Sequence, residues 1–132
     1  MSGQTSPPRS PREMLLGIPW LPRSIDKARM VLDGSLGDYE FPCPADMFVL
    51  ELLHLTPEEF LRHLAESGEA ALEAYTAERV ASFTPRERLS LDVFSIKNSR
   101  LFDSLDREEG REPLIDVAPS TLLSKAGSGD SL

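Results

Sequence analysis

The only cysteine of the chain, Cys43, is the residue whose type best suits nucleophilic or thiol chemistry. It directly precedes Pro44 at the predicted start of a helix, where free amide groups and the helix dipole stabilise a thiolate. Arg23 and Lys27 would add positive charge if the preceding helix packs nearby, whereas neighbouring carboxylates such as Asp46 would raise the thiol pKa. Because a lone cysteine in a helical domain is commonly a small buried side chain, both interpretations stay open.

A second group of side chains, on one predicted helix, comprises Arg23, Asp26, Lys27 and Arg29. In one interpretation Asp26 orients Arg23 or Arg29 toward a pocket formed with Tyr39, where the guanidinium fork recognises a carboxylate or phosphate. In the other, the group is a set of solvated ion pairs, each stabilising by only about 0.3 kcal/mol. An arginine in the first turn of a helix opposes the helix dipole, so Arg23 is expected to have an acceptor in the loop that contains Tyr39.

The two histidines, His54 and His63, are the candidates for metal binding. Each follows a glutamate (Glu51 or Glu59) by about one helical turn, but neither pair is repeated on a second helix as a dimetal carboxylate site requires. A mononuclear site from Cys43, His54 and a carboxylate has no further support. We therefore predict no metal and no cofactor, with His54 either a binding residue or a surface histidine beside Glu51.

Helical periodicity predicts the elements that position these side chains. Apolar residues recur with a helical period from about residue 15 to residue 123, and no alternating stretch predicts a strand. We expect five helices, over residues 21–33, 45–55, 57–67, 69–82 and 85–109. Thr56 and Thr84 each precede a proline and stand three residues before a glutamate, which is the pattern of a capping box.

The same periodicity predicts which side chains form the core. The core stripe of the first helix is predicted to be Leu21, Ile25, Ala28 and Leu32. The second helix is apolar on nearly all sides, so Phe48 and Leu52 are expected to be deeply buried. The core side of the last long helix is predicted to be Leu89, Val93 and Ile96.

Length and composition indicate one small domain. The chain has 132 residues, of which 40% are hydrophobic and 27% charged, and a chain of this size buries one core without disulfides. We predict an all-α fold, a compact bundle of about five short helices, over residues 14–125. Residues 1–13 and 126–132 are predicted to be a flexible arm and a flexible tail, because neither has a periodic apolar face.

Charge and cysteine usage exclude several classes of partner. The formal net charge of −8 argues against nucleic-acid binding, and one cysteine allows neither an intramolecular disulfide nor a cysteine-rich zinc site. The N-terminus lacks the apolar region of a secretory signal, and the longest apolar run, residues 47–55, is too short to span a membrane. We therefore expect a soluble, acidic, cytoplasmic protein without membrane contact.

Several strings in the first half carry a resemblance to a known family. They are Pro8 to Arg12, Leu21 to Arg29, Leu36 to Tyr39, and the pair Cys43-Pro44. With them, the chain resembles the bacterial family called domain of unknown function 5069 over about residues 7 to 65. The acidic stretch from Leu105 to Arg111 is also similar to the C-terminal end of that family. The resemblance implies a small helical domain and supplies no activity, cofactor or catalytic residue.

The sequence leaves two functions open. The first is a non-catalytic module that binds a protein partner or a small ligand inside the cell. The alternative is a small enzyme or thiol-dependent protein that uses Cys43 with Arg23, Asp26 and Tyr39; no nucleophile elbow or phosphate-binding loop accompanies these residues. The loop of residues 34–44 discriminates between the functions: a loop that lines a cavity favours a ligand or enzyme site, and one packed into the core favours a protein-interaction surface.

Overall fold

Seven elements follow one another in residues 6–112, the part of the chain that the computed structural model describes. They are β1 (Met14–Leu15), β2 (Ile18–Pro19), α1 (Leu21–Asp33), α2 (Pro44–Leu52), α3 (Pro57–Ala81), α4 (Pro85–Lys97) and α5 (Ser99–Glu108). The two strands form an antiparallel hairpin. The domain is thus mostly helical rather than strictly all-α. A hairpin with two residues in each strand is too short to show an alternating pattern in the sequence.

Proline and capping residues account for most helix starts. A proline occupies the first turn of α1, α2, α3 and α4, where its missing N–H costs no hydrogen bond. Both predicted capping boxes are confirmed. The Thr56 and Glu59 side chains each accept from the other residue's backbone N–H, at 3.1 and 2.9 Å. Thr84 and Glu87 repeat the same two distances at the start of α4.

The helices are divided differently from the prediction, although the irregularity at Gly68 lies at the predicted boundary between two helices. The predicted third and fourth helices are joined in α3, which kinks at Gly68 (φ 82°, ψ 175°), a conformation that glycine adopts without strain. The predicted fifth helix is divided at Asn98 into α4 and α5. None of the described helices is both long and apolar enough to cross a membrane.

The core is built around α1 and α2. Their completely buried apolar side chains are Leu21, Ile25, Ala28, Val49 and Leu50, and the other elements add Trp20, Phe60, Leu72 and Phe102. One residue of the predicted stripe, Leu32, is instead 47% exposed. Leu32 lies in the last turn of α1, two residues before the C-cap Gly34.

The predicted core face of α4 is wrong. Leu89, Val93 and Ile96 are exposed, while Leu91 and Phe94 are buried. Because α4 carries apolar residues on several sides, its sequence period does not single out one buried face. Aromatic packing decides the orientation, since the Phe94 ring contacts three other rings of the core: Phe48 stacks on it at 4.4 Å, and Trp20 and Phe102 lie at 6.5 and 5.9 Å.

The described part of the predicted N-terminal arm packs on the domain. Pro8 and Pro11 are buried, and Arg9 donates from its backbone and its side chain to Asp26, at 2.8 and 3.0 Å. Arg12 pairs with Asp103 of α5 at 2.5 Å. This packing could not be predicted from a periodic apolar pattern. The segment contains three prolines and two arginines and is held by ion pairs rather than by an apolar stripe. The predicted tail, residues 126–132, and the predicted domain end at residue 125 lie outside the described residues.

The burial of α2 leads to a test of the core. Leu52→Ala is expected to lower the free energy of unfolding by about 2–5 kcal/mol, because it removes a side chain of the hydrophobic core and leaves a cavity. Leu32→Ala is the matched control, since Leu32 is exposed on α1, and its cost should stay within about 0.5 kcal/mol. Chemical denaturation monitored by far-ultraviolet circular dichroism measures both values. Equal costs for the two variants would contradict the buried position of Leu52.

Candidate functional site

A cleft of about 990 Å³ lies between α1, the loop of residues 34–43, α2, α4 and α5. Its volume falls in the range of small-molecule binding sites. The charged wall contains Arg23 and Lys27, one turn apart on α1, and the loop contributes Tyr39 and Cys43. The loop of residues 34–44 therefore lines a cavity instead of packing wholly into the core.

Arg23 is held by a fixed set of acceptors at one end of this wall. Its guanidinium donates to both carboxylate oxygens of Glu109, at 2.9 and 2.6 Å, and to the carbonyl oxygen of Arg9 at 3.0 Å. The same guanidinium lies 5.4 Å from the centre of the Trp20 ring and 5.7 Å from the centre of the Tyr39 ring. Although Arg23 is only 1% exposed, its charge is thus balanced by a carboxylate and two aromatic faces.

Tyr39 completes this end of the wall through the same carboxylate. Its hydroxyl donates to Glu109 at 3.2 Å. The prediction that this loop supplies the acceptor for Arg23 is therefore only partly right. Tyr39 contacts the guanidinium with its ring, whereas the carboxylate comes from Glu109 at the C-terminus of α5. Asp38 and Glu40, the two carboxylates of this loop, are exposed at the cleft and do not bind Arg23.

Lys27 is bound to a completely buried carboxylate, Asp46, at the other end of the wall. The Lys27 ammonium lies 2.8 Å from Asp46 and donates to the Glu40 carbonyl at 2.9 Å. Asp46 also accepts from the Trp20 indole at 2.7 Å and from the Ser24 hydroxyl at 2.5 Å. All of these groups lie within hydrogen-bonding distance of Asp46 or Lys27, so their hydrogen bonds offset the cost of burying the ion pair.

The pKa values of two carboxyl groups follow from these contacts. Burial raises the pKa of Asp46, but the Lys27 charge and the hydrogen bonds from Lys27 and Ser24 outweigh burial and hold it below its ordinary value. Burial also raises the pKa of Glu109, but hydrogen bonds from Arg23 and Arg111 have the larger effect. The pKa of Glu109 is therefore below its ordinary value. Both groups are therefore carboxylates at neutral pH.

The environment of Cys43 does not favour a thiolate. Burial raises the pKa of the thiol, and the negative charge of Asp46 raises it as well. The Lys27 ammonium lies 3.5 Å from the sulfur and acts in the opposite direction, but the net pKa is above the ordinary value. A nucleophilic cysteine requires a lowered pKa. Cys43 therefore lines the cleft without being activated as a nucleophile.

The floor of the cleft is apolar. Phe48 and Phe94 stack face to face there, and Leu101 and Leu105 extend the surface along α5. Phe48, which was predicted to be deeply buried, is only half-buried because one side of its ring faces the cleft. The cleft therefore combines an apolar floor with a wall whose positive charges are already paired.

Two of the six predicted site residues lie away from the cleft. Asp26 binds Arg9 of the N-terminal segment rather than orienting Arg23 or Arg29. His54 is exposed beyond the C-terminal end of α2. The other four, Arg23, Lys27, Tyr39 and Cys43, all line the cleft. Within residues 6–112, no group of three histidine, cysteine, aspartate or glutamate side chains is close enough to hold a metal ion.

Sequence reasoning missed the two carboxylates that organise the site. Asp46 was considered only as a neighbour of Cys43, although an acidic residue at the third position of a mostly apolar helix is a recognisable signal for a cap. Its side chain does accept from the Cys43 backbone N–H at 2.9 Å. Glu109 had no such signal, because it stands 86 positions from Arg23 in the chain.

The wall of the cleft coincides with a recognised family region. A family model with the description Domain of unknown function (DUF5069) matches residues 5–81, more than half of the chain. The chain belongs to the DUF5069 family. The matched residues include Arg23, Lys27, Tyr39, Cys43 and Asp46, so both cations of the charged wall lie inside the family region.

The DUF5069 region does not include the whole cleft. Helices α4 and α5, with Phe94, Leu101, Leu105 and Glu109, follow the matched residues. The similarity expected for the stretch from Leu105 to Arg111 thus lies outside the match. No curated protein and no solved structure matched the chain.

Proposed function

We propose that this DUF5069 protein is a non-catalytic binding module whose cleft takes a small, mainly apolar ligand without negative charge. The observation that carries the proposal is the cleft itself, which joins an apolar floor to a rigid polar wall. Such a combination is typical of ligand sites, where apolar contacts provide affinity and a few fixed polar groups provide orientation. A concave site of this volume accommodates a small molecule better than it accommodates the flat surface of a protein partner.

The charges around the cleft support the absence of negative charge on the ligand. Arg23 and Lys27 are already paired with Glu109 and Asp46, so an anion would have to displace a carboxylate from each buried ion pair. Three further carboxylates, Asp38, Glu40 and Glu108, are exposed at the cleft and have no ion-pair partner among residues 6–112. Their field repels anions and attracts cations.

The thiol-dependent alternative has weaker support. It needs Cys43 as a thiolate, and burial together with Asp46 raises the thiol pKa. We also propose that the protein is cytoplasmic, because one cysteine cannot provide the disulfide framework that stabilises many small secreted domains.

Titration of the full chain with Nile red, a neutral apolar dye, tests the ligand site. We expect saturable binding that weakens at least about tenfold in Leu101→Asp, because the new carboxylate must lose water beside the apolar dye. Leu32→Asp is the matched control: both leucines are on helices and similarly exposed, at 42% and 47%, but Leu32 does not line the cleft. Inorganic phosphate should cause no change in Trp20 fluorescence.

Two results would contradict the proposal. The first is the absence of saturable dye binding by the full chain. The second is equal loss of binding in Leu32→Asp and Leu101→Asp, which would locate the dye away from the cleft.

A further inference from the structure

Helix α4 presents an apolar row that the described residues leave uncovered. Leu89, Val93 and Ile96 form this row and are 61%, 42% and 74% exposed. Their helical spacing places them along one face of α4, over a length of about 10 Å. A groove of about 560 Å³ runs beside the row and is lined by Leu89, Ser90, Val93 and Phe94. Exposed apolar side chains that form a contiguous patch, rather than standing singly, mark interaction sites.

Two cations stand at the ends of this groove, and we call them the groove cations. Arg86 lies in the first turn of α4 and Lys97 is its last residue, and both line the groove. They lie on the same side of the helix, about three turns or 16 Å apart along its axis. Both are exposed, and neither has an ion-pair partner among residues 6–112.

Unpaired positive charge is concentrated in this part of the domain. Within residues 6–112, the lysine and arginine side chains without an ion-pair partner lie on α4 and α5 with one exception, Arg62. They are Arg86, Arg88, Lys97, Arg100 and Arg107. The complete chain, by contrast, has a net charge of −8. A local excess of positive charge on an acidic protein favours an acidic partner at this surface.

The carboxylates of α4 do not neutralise the groove cations. Glu87 caps the helix through Thr84 and pairs with Arg79. Asp92 is exposed, and helical spacing places it across the apolar row from the groove. The groove side of the row is therefore basic.

The backbone of α4 favours a helical partner over an extended one. The interior N–H and C=O groups of a helix are already paired within it, so α4 offers no strand edge. An extended segment against the apolar row would leave its own backbone groups without partners, whereas a helix pairs its own. A row of side chains with a groove beside it is also the surface into which the side-chain ridges of another helix pack.

We propose that an amphipathic helix of a partner protein binds this surface, with its apolar side chains on the apolar row and its carboxylates paired to the groove cations. Such a helix carries apolar residues that recur every three or four positions, and acidic residues about three turns apart along one edge of them. The surface lies on α4 and shares with the cleft only Phe48, Phe94 and Asn98. The inference does not depend on the ligand proposed for the cleft.

Two other occupants fit the surface less well. A second copy of the chain, paired with the first through α4 about a two-fold axis, would bring groove cations of the two copies together in either orientation. Like charges in contact oppose that pairing. An anionic lipid surface attracts the groove cations but repels a chain whose net charge is −8.

Selection from a random peptide library tests the chemistry of the partner. Displayed peptides about 16 residues long, enough to span the groove cations as a helix, are selected on the full chain. Peptides that also bind the variant carrying Leu89→Asp and Ile96→Asp are removed. We expect the remaining peptides to have apolar residues at helical spacing and to carry aspartate or glutamate near both ends of the apolar stretch.

A charge exchange tests the pairing with the groove cations. Fluorescence anisotropy of a labelled, selected peptide measures its affinity at about 0.15 M salt, where charges farther apart than about 8 Å are largely screened. Arg86→Glu with Lys97→Glu should weaken binding at least about tenfold, and replacing the carboxylates of the peptide by lysine should restore it. Arg62→Glu with Arg107→Glu is the matched control: it makes the same change of charge at two exposed, unpaired positions that do not line the groove, and binding should stay within about twofold.

Four results would overturn the proposal. The first is a selection that yields no peptide sensitive to Leu89→Asp and Ile96→Asp, or only peptides without helical spacing. The second is equal affinity of the selected peptides for the wild-type chain and the variant carrying Arg86→Glu and Lys97→Glu. The third is sedimentation of the full chain as a dimer that Leu89→Asp dissociates, which would place a second copy on the row. The fourth is binding to vesicles of phosphatidylcholine and phosphatidylglycerol that Leu89→Asp abolishes, which would assign the row to a lipid surface.

Discussion

Replacing Asp46 by alanine is expected to lower the free energy of unfolding by about 3–5 kcal/mol, the usual cost of removing one partner from a buried ion pair. Asp46 is completely buried and pairs with Lys27 at 2.8 Å. It also accepts from Trp20, Ser24 and the Cys43 backbone. The alanine variant would leave a buried ammonium group and three further donors without their acceptor. Denaturant titration followed by Trp20 fluorescence measures the change.

The effect of Asp46 should also depend on pH. Because its pKa in the folded state is below the ordinary value of about 3.9, the stabilisation is complete above about pH 5 and is lost as pH falls through the lowered pKa. The difference in unfolding free energy between the wild-type chain and Asp46→Ala should therefore be constant from pH 7 to about pH 5 and shrink below that. Asp92→Ala, on the exposed side of α4, should cost no more than about 0.5 kcal/mol throughout. A similar cost for both variants at pH 7 would contradict the buried network.

Replacing Arg23 is expected to be the other large perturbation, and the size should depend on the substitute. Arg23→Ala should cost about 3–5 kcal/mol, because it leaves the buried carboxylate of Glu109 with Arg111 as its remaining cation. Arg23→Lys should still cost about 1–3 kcal/mol, since one ammonium cannot reproduce a two-point bond to Glu109 and a third bond to the Arg9 carbonyl.

The matched control for Arg23 is Arg29, on the same helix. Arg29 pairs with Glu69 at 2.8 Å, but its side chain is 46% exposed. Arg29→Lys should therefore change the unfolding free energy by no more than about 0.5 kcal/mol. Thermal and denaturant unfolding of the three variants provide the comparison. A neutral Arg23→Lys would mean that the guanidinium is solvated and that the contact with Glu109 contributes little.

Much of the local structure could be predicted from the sequence, because its causes are local. Thr56 and Thr84 cap their helices through residues only three positions away, and Gly68 interrupts α3 at the predicted boundary between two helices. The strings from Pro8 to Pro44 sufficed for the family assignment. The helical spacing of Arg23 and Lys27 also placed two cations on the same side of α1, now found in one wall of the cleft.

Tertiary structure decided the partners of those cations and the buried face of α4. Glu109 reaches Arg23 only because α5 folds back beside α1, and no local pattern links positions that far apart. Along α4, Leu89 and Phe94 are equally apolar in the sequence, yet the stacking of Phe94 on Phe48 buries one and leaves the other exposed. The sequence by itself therefore determined where most of the helices start, through prolines and short-range hydrogen bonds. The cleft and its ion pairs depended on long-range packing, which selects one among several apolar faces and brings distant charges together.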